Sequence, residues 1–188
     1  LPWNTSQVKN MSYMFDGCEN FNQPVHFDTS RVNNMNLMFS DCTRFNRPLH
    51  FDTSNVQSMI AMFDKCIQFN QPIHWNVSNV RDMTDMFSNC TNFNNPVQFD
   101  NTSNVRIVRY MFVDCQMFNN LITFNDTSHF TDAAGMFFNC TNFNQPLPWN
   151  TVNITNMFGM FTNCAHFNQT LSWNTSNVIS MDEMFYNC

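Results

Sequence analysis

The sequence predicts a repeat solenoid, in which one unit of 24 or 25 residues forms each coil of a single array. The eight cysteines recur at spacings of 24, 24, 24, 25, 25, 24 and 24 residues. A Met-Phe pair recurs in all eight units, and fixed apolar positions alternate with polar positions that vary. A fixed inside and a variable outside are typical of stacked coils, because a single unit cannot bury its own apolar side chains.

The repeat has the consensus L-x-(W/F)-(N/D)-T-S-x-V-x-x-M-x-x-M-F-x-x-C-x-x-F-N-Q-P. The fifth and sixth units carry one extra residue each, near Asn101 and near Asn125 and Asp126. Both insertions fall in the Asp-Thr-Ser segment, which is therefore predicted to be a loop. The predicted units are 1–24, 25–48, 49–72, 73–96, 97–121, 122–146, 147–170 and an incomplete 171–188.

Each unit is predicted to hold one short parallel strand and one short helical or 3-10 turn. Residues 21–27 alternate in part between apolar and polar, and Pro24 restricts the strand to one side of the proline. Residues 28–30, Asp-Thr-Ser, favour an Asx or Ser/Thr turn. Met35, Met38 and Phe39 have the i, i+3, i+4 spacing of a helical turn. Eight coils at ~4.8 Å each would form a rod roughly 40 Å long.

Composition and motifs exclude several classes of function. Charged residues make up 12% of the chain, the net charge is −6, and the eight basic residues are scattered along the sequence, so no nucleic-acid partner is expected. No apolar run approaches the ~18 residues of a membrane span. The chain has no nucleophile beside a base and no phosphate loop. It also has no pair of acids outside the turn column, the Asp or Asn that begins the predicted turn of each unit, so neither catalysis nor a cofactor is predicted.

The cysteines form a predicted ladder, each stacked on its equivalent in the next coil. Two interpretations stay open. The thiols pack as small apolar groups, or neighbouring coils are joined by disulfides, for which a ~4.8 Å coil spacing lies near the required Cβ separation of ~3.8 Å. Zinc is not favoured, because no unit has a C-x-x-C pair or a Cys-His set. The ladder consists of Cys18, Cys42, Cys66, Cys90, Cys115, Cys140, Cys164 and Cys188.

A second predicted ladder consists of the asparagine of the Phe-Asn pair, which lies between apolar positions. Its amide is expected inside the solenoid, where it would satisfy backbone groups of adjacent coils. The histidines at positions 26, 50 and 74 form a short column that is expected to be exposed, and the turn column has too few carboxylates to favour Ca²⁺. The asparagine ladder consists of Asn22, Asn46, Asn70, Asn94, Asn119, Asn144 and Asn168.

The sequence contains ten Asn-x-Ser/Thr sequons, of which six occupy variable slots or inserted loops. These six are the candidates for covalent N-glycans if the chain passes through a eukaryotic secretory pathway. The other sequons fall in the asparagine ladder or in the turn column. The candidates are Asn10, Asn89, Asn101, Asn125, Asn139 and Asn153.

The motif W-N-T-S-N-V-x-x-M-x-x-M-F-x-x-C-x-x-F-N-Q-P resembles the surface-protein repeat of roughly 26 residues found in bacterial cell-surface proteins and lipoproteins. That repeat is similar in turn to BspA-like leucine-rich repeats. The resemblance covers the whole chain. It implies a leucine-rich-repeat-like solenoid, a secreted or cell-surface location, a role in adhesion or surface architecture, and no catalytic residues.

These observations favour a non-catalytic extracellular structural protein used for surface architecture or for fibre assembly. Its predicted partner is itself, because solenoid coils without a polar cap expose edges that template further stacking. Head-to-tail contacts that do not close produce filaments. The alternative is an adhesin-like recognition module that binds a protein or glycan through the variable outer face.

Overall fold

The computed structural model describes residues 3–188 as a stack of coils in which each coil advances by one sequence repeat. One parallel bridge column joins the same position of every consecutive coil. Its bridges are Asn10↔Asn34, Asn34↔Ser58, Ser58↔Asp82, Asp82↔Ile107, Ile107↔Asp132, Asp132↔Asn156 and Asn156↔Ser180. The predicted repeat solenoid is confirmed in this general form.

A three-stranded parallel sheet lies on one side of the stack, in the order β1 (Ile73–Asn76), β2 (Val97–Asp100) and β3 (Ile122–Phe124). Equivalent repeat positions pair, as in Ile73↔Val97 and Val97↔Ile122. The expectation of one strand in every coil was therefore wrong, since three coils carry strands among residues 3–188. Beyond β3, Pro148 has no N–H with which to extend the ladder.

The two strands that follow a proline explain how the chain accommodates that residue. β1 begins directly after Pro72 and β2 directly after Pro96. The proline therefore lies outside the ladder, where its missing N–H costs no strand hydrogen bond. Along both strands the residues alternate between buried and exposed positions, which directs the aliphatic and aromatic side chains into the core.

The Met-Phe segment is not the predicted helical turn. Residues Met35–Met38 and Phe39–Cys42 form two consecutive turns, closed by N–H···O bonds of 3.3 and 3.0 Å between their first and last residues. The third residue of each is left-handed, Leu37 at φ 51° and Asp41 at φ 55°, as in type II turns. The equivalent two positions are left-handed in every coil. The 3-10 helix of the fold, Thr102–Asn104, lies instead at the first insertion, after left-handed Asn101.

These turns stack through backbone hydrogen bonds that all point the same way along the solenoid. The N–H groups of Met35, Leu37, Phe39 and Asp41 donate to carbonyls of the next coil at 2.8–3.0 Å. Three or four such bonds join each pair of adjacent coils at this segment. At this segment each coil therefore presents donors to the following coil and acceptors to the preceding one, and these bonds hold its left-handed residues in place.

The core consists of phenylalanine columns that run the length of the stack. Phe87, Phe112 and Phe137 are fully buried, and successive rings stack at centroid distances of 5.3 and 5.9 Å. Phe118 of the second column stacks on Phe112 within the same coil at 4.6 Å. Offset-stacked rings at these distances add to the stability already gained from apolar burial.

Candidate functional site

The six interior cysteines are fully buried, whereas Cys18 and Cys188 are exposed, which corrects the prediction that all eight are buried. The eight thiols are free. Each interior thiol donates its S–H to a phenylalanine carbonyl of the preceding coil, as Cys66 does to Phe39 at 2.9 Å. That carbonyl also accepts the N–H of Cys42 within its own coil at 3.0 Å, so the thiol adds an inter-coil bond to a carbonyl that already closes a turn. This pairing gives the cysteine column a structural role.

Burial makes these thiols poor nucleophiles. It raises the pKa of the Cys42 and Cys164 thiols to about 12, with a smaller contribution from the neighbouring thiol in each case. The pKa of the central Cys90 and Cys140 thiols is raised for the same reason. The reactive species of a cysteine is the thiolate, so the buried thiols, which stay protonated at neutral pH, are expected to be unreactive there.

In the folded but unassembled protein, we expect iodoacetamide to modify Cys18 and Cys188, which a stacked coil would cover, and to spare the six buried cysteines, because these are both inaccessible and protonated. Peptide mass spectrometry after a brief labelling pulse measures the modified fraction at each position. A second pulse in denaturant without reductant should label all eight. Interior cysteines that stay unlabelled in denaturant would instead indicate disulfides between coils.

The asparagine ladder lies at the surface, which corrects its expected place inside the solenoid. Its members are half-buried or exposed. The side-chain oxygen of each asparagine except Asn168 accepts the backbone N–H of its equivalent in the next coil, as Asn94 accepts from Asn119 at 2.9 Å. Gln145 adds a side-chain donor to Asn119 at 3.0 Å. At this position the asparagine side-chain oxygen therefore takes the place of a backbone carbonyl as the acceptor between adjacent coils.

Two further amide ladders were missed by the sequence analysis. In one, the side-chain amides of Asn55, Asn79 and Asn104 donate to a carbonyl of the preceding coil at 2.6–2.7 Å. In the other, the Asn187 amide donates to Asn163, which donates to Asn139 in turn. The sequence held a signal, because asparagine fills the first position in five of the eight units and the second position in four, but only the coil geometry supplies their partners.

The six glycan candidates differ in whether their side-chain nitrogen, Nδ2, is already hydrogen-bonded. The Nδ2 of Asn139 donates to Asp114 at 2.7 Å and that of Asn153 to the Ser128 carbonyl at 2.7 Å. The Nδ2 groups of Asn89 and Asn101 also donate, to Ser88 at 2.8 Å and to Asn76 at 3.2 Å. A glycan is attached to this nitrogen. Among the six candidates, Asn10 and Asn125 are the exposed asparagines whose Nδ2 makes no hydrogen bond within residues 3–188.

The Asp-Thr-Ser segment forms the Asx turn that the sequence suggested. The Oδ1 of Asp28 accepts the hydroxyl and the backbone N–H of Ser30 at 2.6 and 3.0 Å, and both bonds lower the pKa of this carboxyl. The intervening Thr29 is buried and donates its hydroxyl to the Asp52 carbonyl of the next coil at 3.0 Å. The carboxylates of Asp28, Asp52 and Asp126 are thus committed to local turns.

The histidine column is exposed, and one member has a partner. His74 Nε2 lies 2.7 Å from Asp100 Oδ2 in the next coil. Within residues 3–188, no group of three His, Cys, Asp or Glu side chains is placed to hold a metal ion. No helix in that range is long and apolar enough to cross a membrane.

The coil geometry also gathers basic residues that are distant in sequence. Lys9, Arg31, Arg81 and Arg106 lie on one face, at two repeat positions that flank a buried valine. We call these four residues the cationic strip. The first three are exposed and Arg106 is half-buried. None of them forms a salt bridge with a residue of the described chain, whereas Lys65 and Arg109, elsewhere on the surface, do. The basic residues are therefore not scattered in space as they are in sequence.

Two depressions run along the cationic strip and meet at Gln57. One, of about 410 Å³, is lined by Lys9, Ser30, Arg31, Asn33, Asn55 and Gln57. The other, of about 340 Å³, is lined by Gln57, Asn79, Arg81 and Asn104. No carboxylate lines either one. Asp82, next to Arg81 in sequence, is held in an Asx turn by Thr84 at 2.8 and 2.6 Å.

Comparison with known proteins identifies a repeat family. One family model, described as a Mycoplasma protein of unknown function, DUF285, matches residues 1–100, 50–148 and 91–188. No curated protein and no solved structure matches the chain. The finer likeness to BspA-like leucine-rich repeats stays a prediction. Because the three matches together span the whole chain, the protein belongs to the DUF285 family.

Proposed function

We propose that this chain is a non-catalytic structural repeat protein of the extracellular surface, which assembles by end-to-end stacking of its coils. The observation that carries the proposal is the direction of the inter-coil hydrogen bonds. At the Met-Phe turns, each of the first seven coils donates three or four backbone N–H groups to the following coil, which offers the carbonyls. Any two coils are therefore complementary, whether they belong to one chain or to two.

Such a contact is heterologous, since one face of a coil meets the opposite face of the next. Heterologous contacts that do not close produce open filaments. Met181 and Phe185 belong to the methionine and phenylalanine columns that pack between coils, and they are 44% and 48% exposed. The buried cysteines donate to carbonyls of the preceding coil, and Asp28, Asp52 and Asp126 accept from the serines of local turns.

Negative-stain imaging of the purified protein tests this proposal. We expect uniform fibres much longer than the ~40 Å of eight coils. The double variant Met181→Asp/Phe185→Asp should abolish them, because charge is placed on the stacking face. The control Ile67→Asp/Met117→Asp introduces the same charge at exposed side positions and should leave the fibres intact. Monodisperse short rods of the unmodified protein would contradict end-to-end stacking.

The second candidate function is recognition through the outer face, as in an adhesin. The cationic strip favours it, because four cations without a carboxylate partner lie on one face of a protein whose net charge is −6. An array of immobilised glycans and peptides tests recognition in general. Binding to any of them above the level seen with heat-denatured protein would support this function, and an array without binding would exclude it.

A further inference from the structure

We infer that the cationic strip is a binding site for an acidic polysaccharide, a chain that carries carboxylates and hydroxyls along its length. This inference rests on the recognition function and names its site and ligand class. The strip covers four coil steps, from Lys9 to Arg106, which is about 19 Å. Its two depressions are continuous at Gln57, so the site is elongated along the solenoid axis.

Charge complementarity selects an anionic ligand. Lys9, Arg31 and Arg81 line the depressions, and no carboxylate there competes for them. Arg31 donates to Gln7 at 2.8 Å, which positions its guanidinium on the face while leaving it without an acid partner. A guanidinium binds a carboxylate in a bidentate manner, so Arg31 and Arg81 can each hold one acidic group of the ligand. Arg106 lies beside the depressions, and its Nη1 donates to the Ser103 and Val105 carbonyls at 2.8 and 3.0 Å.

The neutral residues between the cations select hydroxyl groups. Asn55, Asn79 and Asn104 use Nδ2 to bond the preceding coil, at 2.6–2.7 Å. Their Oδ1 atoms are thereby fixed as acceptors, one per coil, for donors on the ligand. A row of fixed acceptors among spaced cations matches a chain in which hydroxyls outnumber acidic groups. Because these amides are already ordered, binding loses little side-chain entropy at them.

The same surface disfavours the other anionic polymers. An acidic peptide would gain affinity by pairing its backbone with a free strand edge of the protein. The backbone of the strip offers no such edge, because it is already hydrogen-bonded between coils: Asn33 N–H donates to the Lys9 carbonyl at 2.8 Å and Arg106 N–H to the Arg81 carbonyl at 2.9 Å. Single-stranded nucleic acid requires aromatic side chains on which bases stack, and none lines the depressions. The acidic polysaccharide is the polyanion that the strip accommodates best.

Titration calorimetry with polygalacturonate oligosaccharides tests the inference. We expect binding that weakens with added salt, and no binding of neutral maltooligosaccharides of the same length. The double variant Arg31→Gln/Arg81→Gln should weaken binding about tenfold or more. The control Arg44→Gln/Lys65→Gln, which changes the net charge equally but lies off the strip, should bind within about twofold of the unmodified protein. Circular dichroism melting curves check that both variants fold.

Four results would overturn the inference. They are no binding of polygalacturonate at low salt, an equal loss of affinity in the control variant, equal binding of the neutral chain, and tighter binding of polyglutamate or oligothymidylate than of polygalacturonate. If the general array shows ligands whose binding is unchanged in Arg31→Gln/Arg81→Gln, recognition stands and this site is wrong. Negative-stain imaging measures end-to-end stacking, and its outcome does not depend on the ligand-array or calorimetry results.

Discussion

Replacing Phe112 by alanine is expected to lower the free energy of unfolding by about 3–5 kcal/mol. Its ring is fully buried and stacks between Phe87 and Phe137 of the adjacent coils, and on Phe118 of its own coil. Removing it takes away the transfer free energy of the ring and leaves a cavity that the rigid, hydrogen-bonded coils cannot collapse around. Urea unfolding followed by circular dichroism measures the loss.

The effect should also be local, since a solenoid coil contacts only its two neighbours. Hydrogen exchange followed by mass spectrometry should show the largest loss of protection in the coils that contain Phe87, Phe112 and Phe137. The control Met117→Ala lies in the same coil but removes a side chain that is 51% exposed, so it should cost about 1 kcal/mol or less. Similar losses for the two variants would contradict a core built on stacked phenylalanine columns.

Replacing Gly135 by alanine is expected to destabilise the protein by about 2–4 kcal/mol, from two sources. The residue is left-handed, with φ 59°, which disfavours any side chain with a Cβ. An added Cβ would also lie 2.2 Å from the Tyr110 ring of the preceding coil, so that ring would have to move. Chemical denaturation of the single variant measures the sum of these two costs.

Gly17 supplies the matched control. It is also left-handed, with φ 70°, but nothing lies within 4 Å of the Cβ that alanine would add, so Gly17→Ala should carry the backbone cost alone, about 1–2 kcal/mol. In the double variant Gly135→Ala/Tyr110→Ala the collision is absent, and the two changes should be less costly together than the sum of the single changes. Additive changes would show that the ring does not restrict position 135.

The core was predictable from the sequence because the 24-residue period repeats the same apolar slots. A slot filled by phenylalanine in every unit can face only one direction in a stack of equal coils. Accordingly Phe39, Phe63 and Phe87 are fully buried, as are the interior cysteines. Unit six, where Ala133 replaces methionine and Phe130 replaces valine, keeps the same slots buried with a changed distribution of volume.

The turn type was not predictable, because the spacing of Met35, Met38 and Phe39 records which side chains point inward and not the sign of φ. A helical turn and two consecutive type II turns place the same residues in the core. The left-handed conformation of Leu37 is unfavourable in isolation. It is held by a bond that only the stack supplies, from its N–H to the Ile60 carbonyl at 3.0 Å.

The candidate site, like the fold, was predictable from the sequence only in part. The sequence by itself determined the repeat, the identity of the buried columns and the composition of each outer slot. The tertiary structure decided which outer slots meet, and so turned Lys9, Arg31, Arg81 and Arg106 from isolated cations into one face. The physical reason is that residues about 24 apart become neighbours only when inter-coil hydrogen bonds fix the register, and charge complementarity depends on distance in space.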